Sequence, residues 1–145
     1  KKALVEKTPF LGICLGMQLL AERVLEGGEH EGLGWIKGTV QKLDPNDKAL
    51  KIPHMGWNDV RVTKESPLFT GLGTSPCFYF VHSYRVVCEN PDVPVAVCDY
   101  GGPFTAALQR GNIFGTQFHP EKSQKPGLQL LRNFVGMAAE LPKIS

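Results

Sequence analysis

No apolar run in the 145-residue chain approaches the ~18 residues needed for a membrane-spanning helix, and no signal-peptide pattern is visible. Neither is there an excess of charge. Sixteen Lys and Arg face fourteen Asp and Glu, for a formal net charge of +2. So weak a field gives nucleic acid or an anionic membrane no purchase, and the basic residues are scattered apart from Lys1-Lys2. Cysteine is sparse, at positions 14, 77, 88 and 98, with no C-x-x-C spacing. We therefore expect reduced thiols in a cytoplasmic protein rather than a disulfide framework. Histidine is equally sparse, at 30, 54, 82 and 119, and shows no zinc spacing with the cysteines, so no metal site is expected. Repeats, linkers and low-complexity segments are missing too. With 42% hydrophobic residues, the chain reads as one domain over 1–145 with enough apolar content for a core.

What the chain does have is a cysteine between two glycines, in Gly12-Ile13-Cys14-Leu15-Gly16. Upstream, Pro9 to Ile13 reads as a short buried strand. Downstream, Met17, Leu19, Leu20, Val24 and Leu25 predict an amphipathic helix over Leu15–Leu25, stopped by Gly27-Gly28. A nucleophile on a sharp strand-to-helix turn is the cysteine form of the G-x-S-x-G elbow. Glycines flank it because the turn leaves no room for Cβ atoms. The helix N-terminus favours thiolate over thiol, so the Cys14 pKa is expected to fall below the usual cysteine value. Taken alone, these five residues also fit a buried, inert cysteine at a strand end.

Far downstream, His119-Pro120-Glu121 follows the apolar run Ile113-Phe114-Gly115. His119 thus lies just past a strand. In an open parallel sheet, the carboxyl ends of strands line one crevice, where Cys14 and His119 can meet. Cysteine would attack, histidine would take and return its proton, and Glu121 would orient the histidine. Gln18, one helical turn after Cys14, can face the same crevice.

These segments, Gly12 to Gln18 and His119 to Glu121, resemble the class I (triad) glutamine amidotransferases. Pro53-His54-Met55-Gly56-Trp57-Asn58 and Tyr79-Phe80-Val81-His82-Ser83-Tyr84 narrow the likeness to the histidine-biosynthetic branch, the glutaminase subunits of imidazole glycerol phosphate synthase. The likeness runs from about Thr8 to Val135. It implies a three-layer α/β fold with an open, mostly parallel sheet and an added antiparallel section. It also implies that two strand–helix units of the family precede this chain, which looks like the C-terminal two-thirds of such a subunit.

Further implications of the resemblance concern the site. L-Glutamine would be hydrolysed by Cys14, His119 and Glu121, with no cofactor, and the Leu15 backbone N–H would serve the oxyanion. Gln18, Glu26 and the backbones of Ser83 and Tyr84 would hold the glutamine. Pro53, Trp57, Tyr79 and Lys122 would dock a synthase subunit with a (β/α)₈ barrel, as a separate chain or a fused domain, that receives the ammonia. Another class I amidotransferase, serving a nucleotide, anthranilate or pyridoxal pathway, is the nearest alternative. A non-catalytic partner-binding module is the more distant one.

The remaining elements follow from local signals. Trp35 to Leu43 alternates as a half-buried strand does, and Asp44-Pro45-Asn46-Asp47 is a turn. Lys51 to Thr63 predicts one or two short strands bent at Met55-Gly56-Trp57. Ser66-Pro67-Leu68-Phe69 predicts a capped helical turn. Phe78 to Tyr84 and Val93 to Tyr100 read as strands. Arg110-Gly111-Asn112 joins Phe104–Gln109 to Ile113–Phe118 as a hairpin. A final helix is expected from Pro126 or Gly127 to about Leu141.

Overall fold

A computed structural model describes residues 1–140. In chain order the elements are β1 (Phe10–Ile13), α1 (Leu15–Gln18), β2 (Ala21–Val24), β3 (His30–Glu31) and β4 (Ile36–Lys42). Then come β5 (His54–Val62), a 3₁₀ turn at Pro67–Phe69, β6 (Cys77–His82), β7 (Tyr84–Cys88) and β8 (Pro94–Asp99). The chain continues through β9 (Pro103–Arg110), β10 (Ile113–Thr116), a 3₁₀ turn at Pro120–Lys122 and α2 (Gln124–Ala139).

Two sheets form. One has six strands in the order β1-β10-β9-β8-β5-β6, the other four in the order β3-β2-β4-β7. A hydrophobic cluster with Phe78, Phe80, Phe114 and Phe118 packs the six-stranded sheet against Leu130, Phe134 and Met137 of α2. A second cluster joins Met17, Leu20, Ile36, Val40 and Val86 to Leu108 and Ile113. Helix, large sheet and small sheet therefore stack as layers around two apolar seams.

The expected α/β class with an antiparallel section holds, but the balance within it differs from the mostly parallel sheet anticipated. Among the described strands, parallel pairing occurs at β1–β10 and at β2–β4, and the other pairs are antiparallel. The predicted helix over Leu15–Leu25 is corrected as well. It ends at Gln18, and Ala21–Val24 is a strand. That strand lies between β3 and β4, with Ala21 opposite Ile36 and Val24 opposite Val40. Gly27-Gly28, at φ 63° and 117°, closes a strand-to-strand loop instead of a helix. Lys51 to Thr63 yields one nine-residue strand that runs on through Gly56. It pairs with β6 along its first part and with β8 along its last. Near the start of the chain, the Val5 N–H donates to Lys1 O at 2.9 Å and closes a turn.

Other expectations stand. The Ser66 hydroxyl accepts from the Leu68 N–H, and Pro67 opens the turn it caps. The β9–β10 hairpin turns at Gly111, where φ is 59°. Helix α2 begins at Gln124, two residues before Pro126. Its predicted end at Leu141 lies outside the described residues.

Candidate active site

Strand β1 delivers Cys14 to the N-terminal end of α1. The cysteine holds φ 53° and ψ −105°, outside the regions open to an ordinary residue without strain. Two backbone bonds pin it. Its N–H donates to Thr116 O at 2.7 Å, and its carbonyl accepts the Gln18 N–H at 3.1 Å. The two glycines of the elbow are not equivalent. A Cβ on Gly12 would lie 2.5 Å from Gly16 O, whereas one on Gly16 would meet nothing within 4 Å. Only the first glycine is demanded by close backbone approach.

The sulfur is partly buried. Its surroundings hold the thiol pKa above the usual 9.0, contrary to the expected fall. Desolvation is the largest cause and outweighs the lowering by the Leu15 N–H and by Gln117. A helix of four residues carries too little dipole to reverse the balance. Glu121 adds to the rise and Lys122 opposes it, so both charges act at the sulfur.

Parallel pairing sets Ile13 opposite Thr116, so β1 and β10 end side by side at their carboxyl ends. Cys14 leaves one strand, and the segment leading to His119 leaves the other. His119 Nδ1 lies 2.6 Å from Glu121 Oε1, with the two side chains 19% and 44% exposed. A carboxylate can only accept, so Nδ1 carries the proton and Nε2 is left to act as a base. The His119 backbone is fixed by a closed ring of three bonds. Its N–H donates to Tyr79 O at 2.9 Å, the Tyr79 N–H donates to Ser123 Oγ at 2.9 Å, and the Ser123 hydroxyl donates to His119 O at 2.6 Å. Gly127 lets α2 approach this ring, for a Cβ there would sit 1.8 Å from Pro120 O.

Gln18, expected at the crevice, is buried, and its Nε2 donates to Tyr84 O and to Gln117 Oε1. Ser83 sits between β6 and β7, and its carbonyl accepts the Leu43 N–H. Glu26 is exposed in the loop after β2, and no hydrogen bond among the described residues ties it to the cysteine segment. Trp57 and Tyr79 are cross-strand partners whose rings meet edge-on, with centroids 5.8 Å apart. Trp57, Pro53 and Lys122 are exposed. Gln117, fully buried with its Nε2 3.6 Å from Cys14 Sγ, is a site residue that sequence reasoning passed over. The available signal was an amide in an otherwise apolar strand end, directly before Phe118-His119.

A strained elbow cysteine beside a strand-end histidine–carboxylate pair, in a layered α/β fold, defines a class of enzyme domain. The chain belongs to the class I glutamine amidotransferases, whose family model matches residues 1–137. Its relatives are more particular. It is 53% identical over 136 residues to the imidazole glycerol phosphate synthase subunit HisH of Mesorhizobium japonicum, covering 92% of this chain and 63% of that protein. It is 54% identical over 135 residues to subunit HisH 1 of Campylobacter jejuni, covering 93% and 66%. The chain thus spans about two thirds of the length of these curated relatives. Among solved structures, a GMP synthase-type protein from Thermoplasma acidophilum matches with a TM-score of 0.63 and 26% identity, over 90% of this chain and 57% of that one. A glutamine amidotransferase structure matches in fold with a TM-score of 0.65 at 22% identity, over 95% and 65%. No helix among the described residues is long and apolar enough to cross a membrane.

Proposed function

We propose that this chain is the glutaminase part of an imidazole glycerol phosphate synthase, with Cys14, His119 and Glu121 as its triad. The observation that carries the reading is the 2.6 Å His119–Glu121 bond at the end of β10, beside the strand that delivers Cys14. Relatives of that name at 53% and 54% identity support the branch.

Because burial keeps the Cys14 thiol protonated at neutral pH, attack requires a base. His119 Nε2 takes the Sγ proton while Glu121 stabilises the imidazolium. The thiolate adds to the side-chain carbonyl of glutamine, and the Leu15 N–H receives the oxyanion. His119 then gives its proton to the departing nitrogen. The C–N bond breaks, ammonia leaves, and a γ-glutamyl thioester remains on Cys14. Water, deprotonated by His119, hydrolyses the thioester to glutamate and restores the thiol. Gln18 keeps Oε1 free to accept from the substrate, since its Nε2 is already engaged. Glu26 and the Ser83 and Tyr84 backbones complete the grip on the amino acid. Ammonia passes to a (β/α)₈ synthase subunit seated over Pro53, Trp57, Tyr79 and Lys122.

The test uses the complete subunit with its synthase partner. Cys14→Ser should abolish glutamine-driven synthesis and leave ammonia-driven synthesis within about twofold, as differential loss at one step requires. Equal loss of both rates would make Cys14 structural. Failure of a glutamine-like chloroketone to label Cys14 would favour a non-catalytic binding module.

A further inference from the structure

Cys14 Sγ has two polar side neighbours of opposite kind. Val81 O, at 3.9 Å, can only accept and so suits the thiol S–H. Gln117 Nε2, at 3.6 Å, donates, and a donor suits the thiolate. Which end of the Gln117 amide faces the sulfur is decided elsewhere. Tyr84 O is a carbonyl and can only accept. It takes Gln18 Nε2 at 3.3 Å, and that nitrogen donates its second hydrogen to Gln117 Oε1 at 3.3 Å. With its oxygen engaged, Gln117 turns its NH₂ toward Cys14.

The same carbonyl is held from its other side. His82 Nδ1 donates to Tyr84 O at 2.8 Å, which leaves His82 Nε2 to accept from His54 Nδ1 at 2.9 Å. His54 Nε2 in turn accepts from Asn58 Nδ2 at 3.4 Å. One acceptor therefore fixes the polarity of a line of side chains from Asn58 to the sulfur. Gln117 is fully buried, so water does not offer its amide another partner.

We propose that Gln117 stabilises the Cys14 thiolate through its Nε2–H, and that Gln18 is the positioning residue that keeps that end of the amide toward the sulfur. The proposal deepens the glutaminase reading, on which Cys14 is the nucleophile. When the proton passes from Sγ to His119 Nε2, the S–H contact to Val81 O is lost. The Gln117 N–H contact then becomes charge-assisted and stronger. Other groups act on the same sulfur: the Leu15 N–H from α1, and Glu121 and Lys122 from the turn after β10. His82, which ends β6, is held below the usual histidine value, chiefly by burial. Gln117 does not titrate, so it favours the thiolate at every pH.

The experiment is the pH profile of Cys14 alkylation by iodoacetamide in the complete subunit, read by mass spectrometry. Gln117→Met keeps length and removes the donor. Its profile should move up by about one pH unit, with alkylation at neutral pH about tenfold slower. Gln18→Met should move it the same way by less, since a freed Gln117 can still reach the sulfur. An unmoved profile in folded Gln117→Met overturns the proposal. Should the buried substitutions prevent folding, the unsubstituted protein decides. The Gln117 side-chain amide proton resonances should titrate with Cys14, and that titration should vanish in Cys14→Ser. Flat resonances while the thiol ionises would overturn the assignment. Because alkylation needs no glutamine, a shifted profile in a chain without glutamine turnover would sink the glutaminase reading and leave this one standing.

Discussion

Two of the chain's histidines carry a load that has nothing to do with acid–base chemistry on a substrate. His54 and His82 are buried, and His54 stacks between Phe80 and Tyr100 at centroid distances of 4.8 and 4.1 Å. Burial first, and then the charge His82 would carry, push the His54 pKa down to about 4 from 6.5. His82 is pushed down as well, chiefly by burial. As pH falls below 6.5, the unfolded chain takes up protons that the folded one refuses. Stability therefore declines from pH 6.5 toward 4, with the full contribution present above 6.5. For His54 alone, the interval from 6.5 to about 4 corresponds to about 3 kcal/mol at 1.36 kcal/mol per pH unit. We expect the melting temperature to fall between pH 6.5 and 5, above the range where most carboxylates titrate, and the slope to flatten in His54→Phe. A melting temperature constant across that range would reject the argument. None of this was visible in sequence, where His54 and His82 showed no zinc spacing and lay in segments that narrowed the likeness. The Cys14 elbow and the His119–Glu121 pair were readable because each is a motif of a few consecutive residues. Gln117 and the histidine pair were not, because each is defined by a neighbour on another strand.

At the scale of elements, the elbow separates two glycines that look alike in sequence. Gly12 faces the backbone of Gly16 and Met17, none of which can yield like a flexible side-chain tip. Gly12→Ala should cost about 1–3 kcal/mol, as overpacking does. Gly16 lies in α1 with open space at its Cβ and an ordinary φ, so Gly16→Ala should be neutral or stabilising by up to about 1 kcal/mol. Denaturant midpoints for the pair test this, and equal losses would mean that the two glycines share one constraint. The same neighbourhood shows why the helix after Cys14 was predicted too long. Leu19, Leu20, Val24 and Leu25 have the spacing of a helical face, but so short an apolar run leaves helix and strand open. What decides between them is the backbone of β4 and β3, which takes Ala21–Val24 into a sheet. Local signals were enough where structure is local: the Ser66 cap, the Gly111 turn, the alternation along β4. Strand order and sense are not local, which is why the predominance of antiparallel pairing emerged only in the fold.

Taken as a whole, the molecule places its exposed aromatic face next to Cys14. Met55 and Trp57 of β5 are 62% and 49% exposed, and they stand opposite Val81 and Tyr79 of β6. Strand β6 is an edge of the large sheet, and its Val81 carbonyl is the one that contacts Cys14 Sγ. Tyr79 is also bound at both backbone atoms to the His119 ring of hydrogen bonds. A synthase partner seated on this face would cover the sulfur and press on the segment that carries His119. It would also give ammonia a route away from solvent, where much of it would be protonated and lost. An exposed tryptophan with one edge-on contact adds little to the core, about 0.5–1.5 kcal/mol for an aromatic pair. At the centre of an interface the same side chain is worth about 2 kcal/mol or more. Trp57→Ala should therefore leave the melting temperature within a few degrees of the parent. It should weaken binding of the synthase partner, or raise the ratio of glutamine consumed to product formed. Lys122→Ala should act in the same direction, because the exposed ammonium of Lys122 is available to pair with a carboxylate of the partner. A Trp57→Ala protein that melts far lower yet stays fully coupled would move this face from interface to core, and the docking assignment would fall with it.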